Sequence, residues 1–191
     1  MLKKILIGVA AALGLLLVVI SLQPATFHIE RSITMAAPPE AAFAQVNDFH
    51  AWSAWSPWEK LDPSMQRSYE GAPRGVGAQY AWVGNEKAGE GRMTIEHSDP
   101  SKIAIKLEFL KPFRATNTAT FTFSKTGEGS QTTWAMDGQN NFISKALSLV
   151  MNMDKVIGPD FERGLAGIKA AAEATPEAKP SVAATSPAKE Q

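Results

Sequence analysis

The chain contains no cysteine in its 191 residues. That excludes disulfides, thiol nucleophiles, thiolate metal sites and lipid attachment through an N-terminal cysteine, and it leaves an oxidising compartment open. Histidine is nearly as scarce, with three: His28, His50 and His97. They show no ligand spacing and no carboxylate cluster lies near them in sequence, so no metal centre is expected. No serine sits in a glycine-flanked elbow, which removes the usual starting point of a hydrolase triad. Gly71, Gly75 and Gly77 resemble a phosphate loop only in number. No Gly-Lys-Ser/Thr follows them, and turn chemistry accounts for their presence. Lys+Arg and Asp+Glu balance at 19 each, and no basic block points to nucleic acid. Nothing in the chain implies a cofactor.

What is present begins with an apolar run. Lys3 and Lys4 precede residues 5–22, which carry no charge. As a helix this run rises about 27 Å, close to the thickness of a bilayer's hydrocarbon core. A cleaved secretory signal has a shorter apolar stretch and a small-x-small exit, and Gln23 spoils that exit here. The run is therefore expected to be an uncleaved membrane anchor, with a signal peptide as the alternative. The two lysines favour an N-terminus inside and a domain on the periplasmic or outer side. Residues 1–24 form the expected anchor, residues 25–173 a single domain, and residues 174–191 a tail. The tail is rich in Ala, Pro, Ser, Thr, Lys and Glu and is expected to be disordered.

Within the domain, residues 27–35 alternate: Phe27, Ile29, Ile33 and Met35 on one face, His28, Glu30, Ser32 and Thr34 on the other, which predicts a strand with one buried face. Arg31 falls on the apolar face, either at an edge with its head in water or buried beside a carboxylate. Pro38, Pro39 and Glu40 stop the strand and start a helix over 39–47 with Ala42, Phe43 and Val46 inward. Then comes the densest aromatic stretch, Trp52, Trp55 and Trp58 within AWSAWSPWEKLDP. It is expected to form a lid or wall at one end of the fold. Strands follow at 67–70, 78–83, 91–97, 102–110, 115–124 and 131–137, joined by local turns, as in an antiparallel sheet with one buried face. Met93, Ile95 and His97 are expected to point inward together. Residues 141–173 switch to helical period through Ile143, Leu147, Val150, Ile157, Phe161, Leu165, Ile168 and Ala172. Gly158-Pro159 predicts a kink or break in this long helix.

The residues Glu30-Arg31-Ser32-Ile33, Ala37-Pro38-Pro39-Glu40 with Phe43 and Val46, Trp52 and Trp55-Ser56-Pro57-Trp58, and Phe161-Glu162-Arg163-Gly164-Leu165 resemble the START-like or Bet v 1-like superfamily. That superfamily is also known as SRPBCC or polyketide cyclase/dehydrase type. The resemblance covers about residues 27–173. It implies an α+β helix-grip fold, a curved antiparallel sheet wrapped round a long C-terminal helix, here with one N-terminal transmembrane helix added. It also implies a cavity for a hydrophobic small molecule or lipid. It implies little about chemistry, because members range from lipid carriers to cyclases.

Too many large apolar groups fall on the inward faces for one sheet and one helix to cover, and methionine with aromatics suits an adaptable pocket. The pocket candidates are Trp55, Trp58, Tyr80, Trp82, Met93, Phe109, Asn117, Phe121, Trp134, Met136, Met151 and Asp154. Asn117 either orients a ligand or satisfies nearby backbone. Asp154 is either solvated at the stripe's edge or a cavity carboxylate paired with Arg31 or a ligand amine. Asp154 or His97 would be the acid or base of a cyclase-type enzyme, though no pair of titratable groups is forced together. A third reading is an interaction module whose cavity is filled by its own side chains.

Overall fold

A computed structural model describes residues 1–174. The expected tail lies, beyond Ala174, outside the described residues. Helix α1 spans Leu2–Ser21, 20 residues exposed along their length except for Ile20 at the domain end. Strand β1 (Thr26–Met35) follows, then helix α2 (Pro39–Asn47), which opens on Pro39 with Glu40 in its first turn. A 3₁₀ turn (Phe49–Ala51) leads into the single helical turn α3 (Trp52–Trp55) and a second 3₁₀ turn (Pro57–Lys60). Six strands come next: β2 (Gln66–Gly71), β3 (Ala78–Val83), β4 (Glu90–Asp99), β5 (Lys102–Lys111), β6 (Ala115–Thr126) and β7 (Gly129–Gln139). Helices α4 (Phe142–Ser148) and α5 (Met153–Ala174) close the described chain.

The seven strands form one antiparallel sheet in the order β1-β7-β6-β5-β4-β3-β2, so every hairpin is local and only β1 is brought in from a distance. Helix α5 lies on the inner face of the sheet and packs on β1, while α2 packs on both α5 and β6. The apolar period of α5 explains this. Phe161, Leu165, Ile168 and Ala172 recur by threes and fours, and all are buried. Each large member contributes about 1.5–3 kcal/mol by leaving water. Gly164 lets the helix come close, since a Cβ there would stand 2.6 Å from Trp134 Cζ3.

The tryptophan stretch closes the end of α2. The last carbonyls of a helix have no partner within it. Here the Trp52 indole donates to the Val46 carbonyl at 3.0 Å, and the Trp55 indole to the Gln45 carbonyl at 3.0 Å. Both rings are buried against Phe121, at centroid distances of 6.0 and 6.2 Å. Sequence-level expectation and structure agree on a wall, and the polar tips of the indoles show how its position is fixed.

Three expectations are corrected. The helical pattern of 141–173 is not one helix: residues 149–152 separate α4 from α5, and each helix has its own asparagine cap. Asn141 Oδ1 accepts from the Ser144 amide at 2.8 Å, and Asn152 Oδ1 from the Lys155 amide at 3.2 Å. Ile143, Leu147 and Val150 are accordingly exposed rather than part of the buried stripe.

Of the kink or break expected at Gly158-Pro159, no break is present, and α5 runs through these residues as one helix. Pro159 gives up a bond to the Lys155 carbonyl, but Lys155 is exposed and water can take that place. Arg31 also clips the turns on either side. Its guanidinium donates to Asp154 at 2.8 and 3.0 Å and to Glu162 at 3.0 Å, lying over Gly158, where any side chain would collide with it.

His97 does not point inward. The β4–β5 register shifts between Ile95 and His97, and the extra residue reverses the alternation. Ile95 is buried, His97 is exposed, and its Nε2 lies 2.6 Å from Asp99 Oδ2.

Candidate ligand cavity

The inner face of the sheet is not evenly covered. On β5, Ile103 and Ile105 are fully buried, whereas Leu107 and Phe109, on the same face, remain partly exposed. Between the second half of that face, the tryptophan stretch and the first turns of α5 lies a cavity of about 390 Å³. That volume falls within the range of small-molecule sites.

Its floor is aromatic and sulfur-rich. Trp134 from β7 stacks on Phe161 of α5 at 4.3 Å and 7°, and Trp58 stands edge-on to Trp134 at 5.4 Å. Tyr80, Met93, Ala119 and Met136 complete the inner wall. The mouth is formed by partly exposed groups: Trp82, Phe109 and Ile157, with Leu61 and Lys87 from the loops. The Trp82 indole donates to the Ala88 carbonyl at 3.0 Å, which holds the β3–β4 loop beside the mouth.

Two carboxylates stand on the wall, Glu59 and Asp160, and both are bonded. Glu59 accepts from Tyr80 Oη at 2.5 Å and from Arg67 Nε at 2.6 Å. Arg67 further donates to the carbonyls of Met65 and Glu59 at 2.9 and 3.1 Å. Burial, with Glu59 beside it, pushes the Tyr80 phenol well above its usual range, so Tyr80 serves as a neutral donor. Glu59 is thereby held between a phenol and a guanidinium. Asp160 is paired with Arg163. Among the described residues no histidine lines the cavity, and no group of three His, Cys, Asp or Glu could hold a metal.

Of the residues named from sequence, Trp58, Tyr80, Trp82, Met93, Phe109, Trp134 and Met136 line this one space. Trp55 and Phe121 are buried in the core behind it. Asn117 is buried on β6, with its amide nitrogen 3.8 Å from the Met136 sulfur, and lies outside the lining. Met151 is exposed between α4 and α5. Asp154 is bound to Arg31 rather than facing the cavity, and that guanidinium holds its carboxyl below the usual range. The Arg31–Asp154 pairing raised from sequence is therefore present, with Glu162 as an added partner.

Sequence reasoning missed Glu59, Leu61, Met65 and Lys87, which sit in irregular segments where no period marks a face. Phe161, in the apolar period of the last helix, is inward-facing by sequence, and periodicity gives no means of telling wall from core.

The sequence profile of the family described as "Polyketide cyclase / dehydrase and lipid transport" matches residues 26–173. The chain belongs to this family, and its fold is the START-like, SRPBCC-type helix grip. Comparison with curated protein sequences returns no match. Among solved structures, protein CV1439 from Chromobacterium violaceum is similar at 15% identity and a TM-score of 0.55, over 80% of this chain and 99% of that one. The Aha1 dimer from Colwellia psychrerythraea is similar at 11% identity and a TM-score of 0.54, over 78% and 97%. The di-domain ARO/CYC BexL from the BE-7585A biosynthetic pathway is similar at 15% identity and a TM-score of 0.59. There 83% of this chain covers 53% of the larger protein. At these identities the likeness is one of fold.

Proposed function

We propose that this is a membrane-anchored binding domain that holds a lipid or another apolar small molecule in its cavity, without catalysing a reaction on it. The observation that carries this reading is the wall of the cavity. It is built from Trp58, Trp82, Trp134, Phe109, Met93 and Met136, and its two carboxylates are already bonded, Glu59 to Tyr80 and Arg67 and Asp160 to Arg163. Apolar contact with such a wall favours an apolar ligand, while a reaction would need a tuned group free to reach it. The apolar wall also speaks against an interaction module with a filled interior, because the space is open. Helix α1 is long and apolar enough to cross a bilayer, by length and composition. With Lys3 and Lys4 in its first turn, the N-terminus lies inside and the domain on the periplasmic or outer side of the cytoplasmic membrane. The domain assignment is 25–173, following the anchor at 1–24.

The test uses the full chain, purified in mild detergent from its membrane. Native mass spectrometry with solvent extraction reads what is bound, and a fluorescent fatty acid reads energy transfer from Trp58, Trp82 and Trp134. A discrete apolar adduct and saturable transfer, both lost on blocking the cavity with Ala119→Trp, are expected. A bare chain that takes up no apolar probe, or an adduct converted to product on incubation, would overturn the reading.

A further inference from the structure

The register of the sheet puts one end of every strand at the same place. Thr26 pairs with Gln139, Asn117 with Gly138, Phe109 with Ala115, Glu90 with Lys111, and Val83 with both Glu90 and Gln66. The start of β1, the end of β7, the β5–β6 loop, the β3–β4 loop and the start of β2 therefore share one end. The cavity lies toward that end. Trp82 is near the close of β3, Met93 near the opening of β4 and Phe109 near the close of β5, with Lys87 and Leu61 in the adjoining loops. The opposite half of the sheet holds the fully buried Ile95, Ile103 and Ile105.

The same end receives α1. Asn140 fixes the entry, its side chain donating to the carbonyls of Pro24 and Thr26 at 3.1 and 3.3 Å and its amide to that of Ala25 at 2.8 Å. Helix α4 then packs beside the end of α1, where Lys145 Nζ donates to the Ser21 carbonyl at 3.3 Å. Around this junction the surface is apolar. Val150 is 83% exposed and Phe113, in the β5–β6 loop, 64%; Phe142, Ile143, Leu147 and Met151 are exposed with them. Large apolar side chains gathered at one end of a fold mark an interaction site. Interspersed with it, Lys145, Lys155 and Arg114 form no ion pair among the described residues. Apolar side chains with basic neighbours suit the boundary between headgroups and acyl chains. A helix that spans the bilayer and ends at Ser21 brings that boundary to this surface.

We propose that α4, residues 149–152 and the β5–β6 loop dock on the bilayer that α1 spans, so that the cavity mouth faces the lipid phase and takes its ligand from there. The occupant of the apolar surface is thus the membrane itself. The orientation follows from the chain: only four residues, 22–25, part α1 from β1, and the carbonyls of Pro24 and Ala25 among them are tied to Asn140. They leave the domain little freedom to turn this end away. The inference rests on reading α1 as an anchor and the cavity as an apolar ligand site, and it adds where that site opens.

The absence of cysteine makes the test direct, because each introduced thiol is unique. Full-length Phe113→Cys and Val150→Cys, with Val76→Cys and Lys125→Cys from the opposite end of the sheet, are labelled with an environment-sensitive fluorophore. They are reconstituted into vesicles of phosphatidylcholine and phosphatidylglycerol that carry brominated chains. Blue-shifted emission and bromine quenching at 113 and 150, with water-like emission at 76 and 125, are expected. Water-like emission at all four positions overturns the docked rim, whatever the cavity holds. Quenching at 113 and 150 in a protein that retains no apolar ligand supports the rim and overturns the binding reading instead. Retention in the vesicles after alkaline washing reports on the anchor separately, and release by that wash overturns both anchor and rim.

Discussion

Ile103 and Leu107 stand on the same face of β5, four residues apart, yet they belong to different worlds. Ile103 is fully buried in a core that includes Val46 of α2, while Leu107 looks into the cavity. The two halves of the sheet have the same alternation and much the same composition. What differs is what lies above them: α2, α3 and the later turns of α5 over one half, only the first turns of α5 and a loop wall over the other. An apolar face becomes core where something covers it and a binding surface where nothing does.

The largest effect should separate the two halves by stability. Phe121→Ala removes a fully buried ring and is expected to cost about 3–5 kcal/mol. Leu107→Ala trims a partly buried side chain beside an open space and should cost roughly 1–2 kcal/mol. Chemical denaturation followed by tryptophan fluorescence measures both, and equal losses would break the distinction. Next comes the seam between the halves. Gly164→Ala gains about 1 kcal/mol of helix propensity but presses a methyl on Trp134, whose ring is stacked between Phe121 and Phe161. Overpacking of about 1–3 kcal/mol should make the change destabilising, with altered indole emission. On the open side, Asn152→Ala removes the cap of α5 and should cost about 1 kcal/mol, read as faster amide exchange near Lys155.

The smallest effect depends on pH. The packed half is held by apolar contact, whereas the Arg31 clip at the start of α5 uses charge. The folded-state value of Asp154 is depressed by Arg31, so its contribution is present above the ordinary value of 3.8 and lost as pH falls through the folded one. The melting-temperature gap between the native protein and Asp154→Asn should therefore close in strong acid. His28, bonded to Asp137, behaves oppositely: its value is raised, so its contribution is full below 6.5 and fades as pH rises through the folded value. His28→Gln should flatten that alkaline decline.

Several elements were legible from residue order because their causes are local. Alternation at 27–35 and 102–110 depends only on pleat geometry, and both strands formed with near-identical limits. Pro39 and Glu40 mark the start of α2 because proline fits a first helical turn and a carboxylate suits its dipole. The period of Phe161, Leu165, Ile168 and Ala172 placed α5 on the sheet. The cavity-lining aromatics were legible as inward-facing for the same reason. Asn117, Phe121, Trp55 and Met151 show the limit of that signal, since it names a face and not what stands opposite.

By itself, then, the sequence determined most of the strands, the start of α2, the buried stripe of α5 and the apolar length of α1. Each of these follows from forces between residues near in the chain. Tertiary structure alone decided the rest. The unpaired residue beside His97 exists only against β5, and it turned a candidate base out to solvent. The choice of Asn152 rather than Pro159 as the break rests on a guanidinium from β1 that holds Asp154 and Glu162 across the proline. Which half of one apolar face is packed and which is left open was fixed by where α2, the tryptophan stretch and α5 come to lie. Those positions depend on contacts between segments more than a hundred residues apart, which no local pattern encodes.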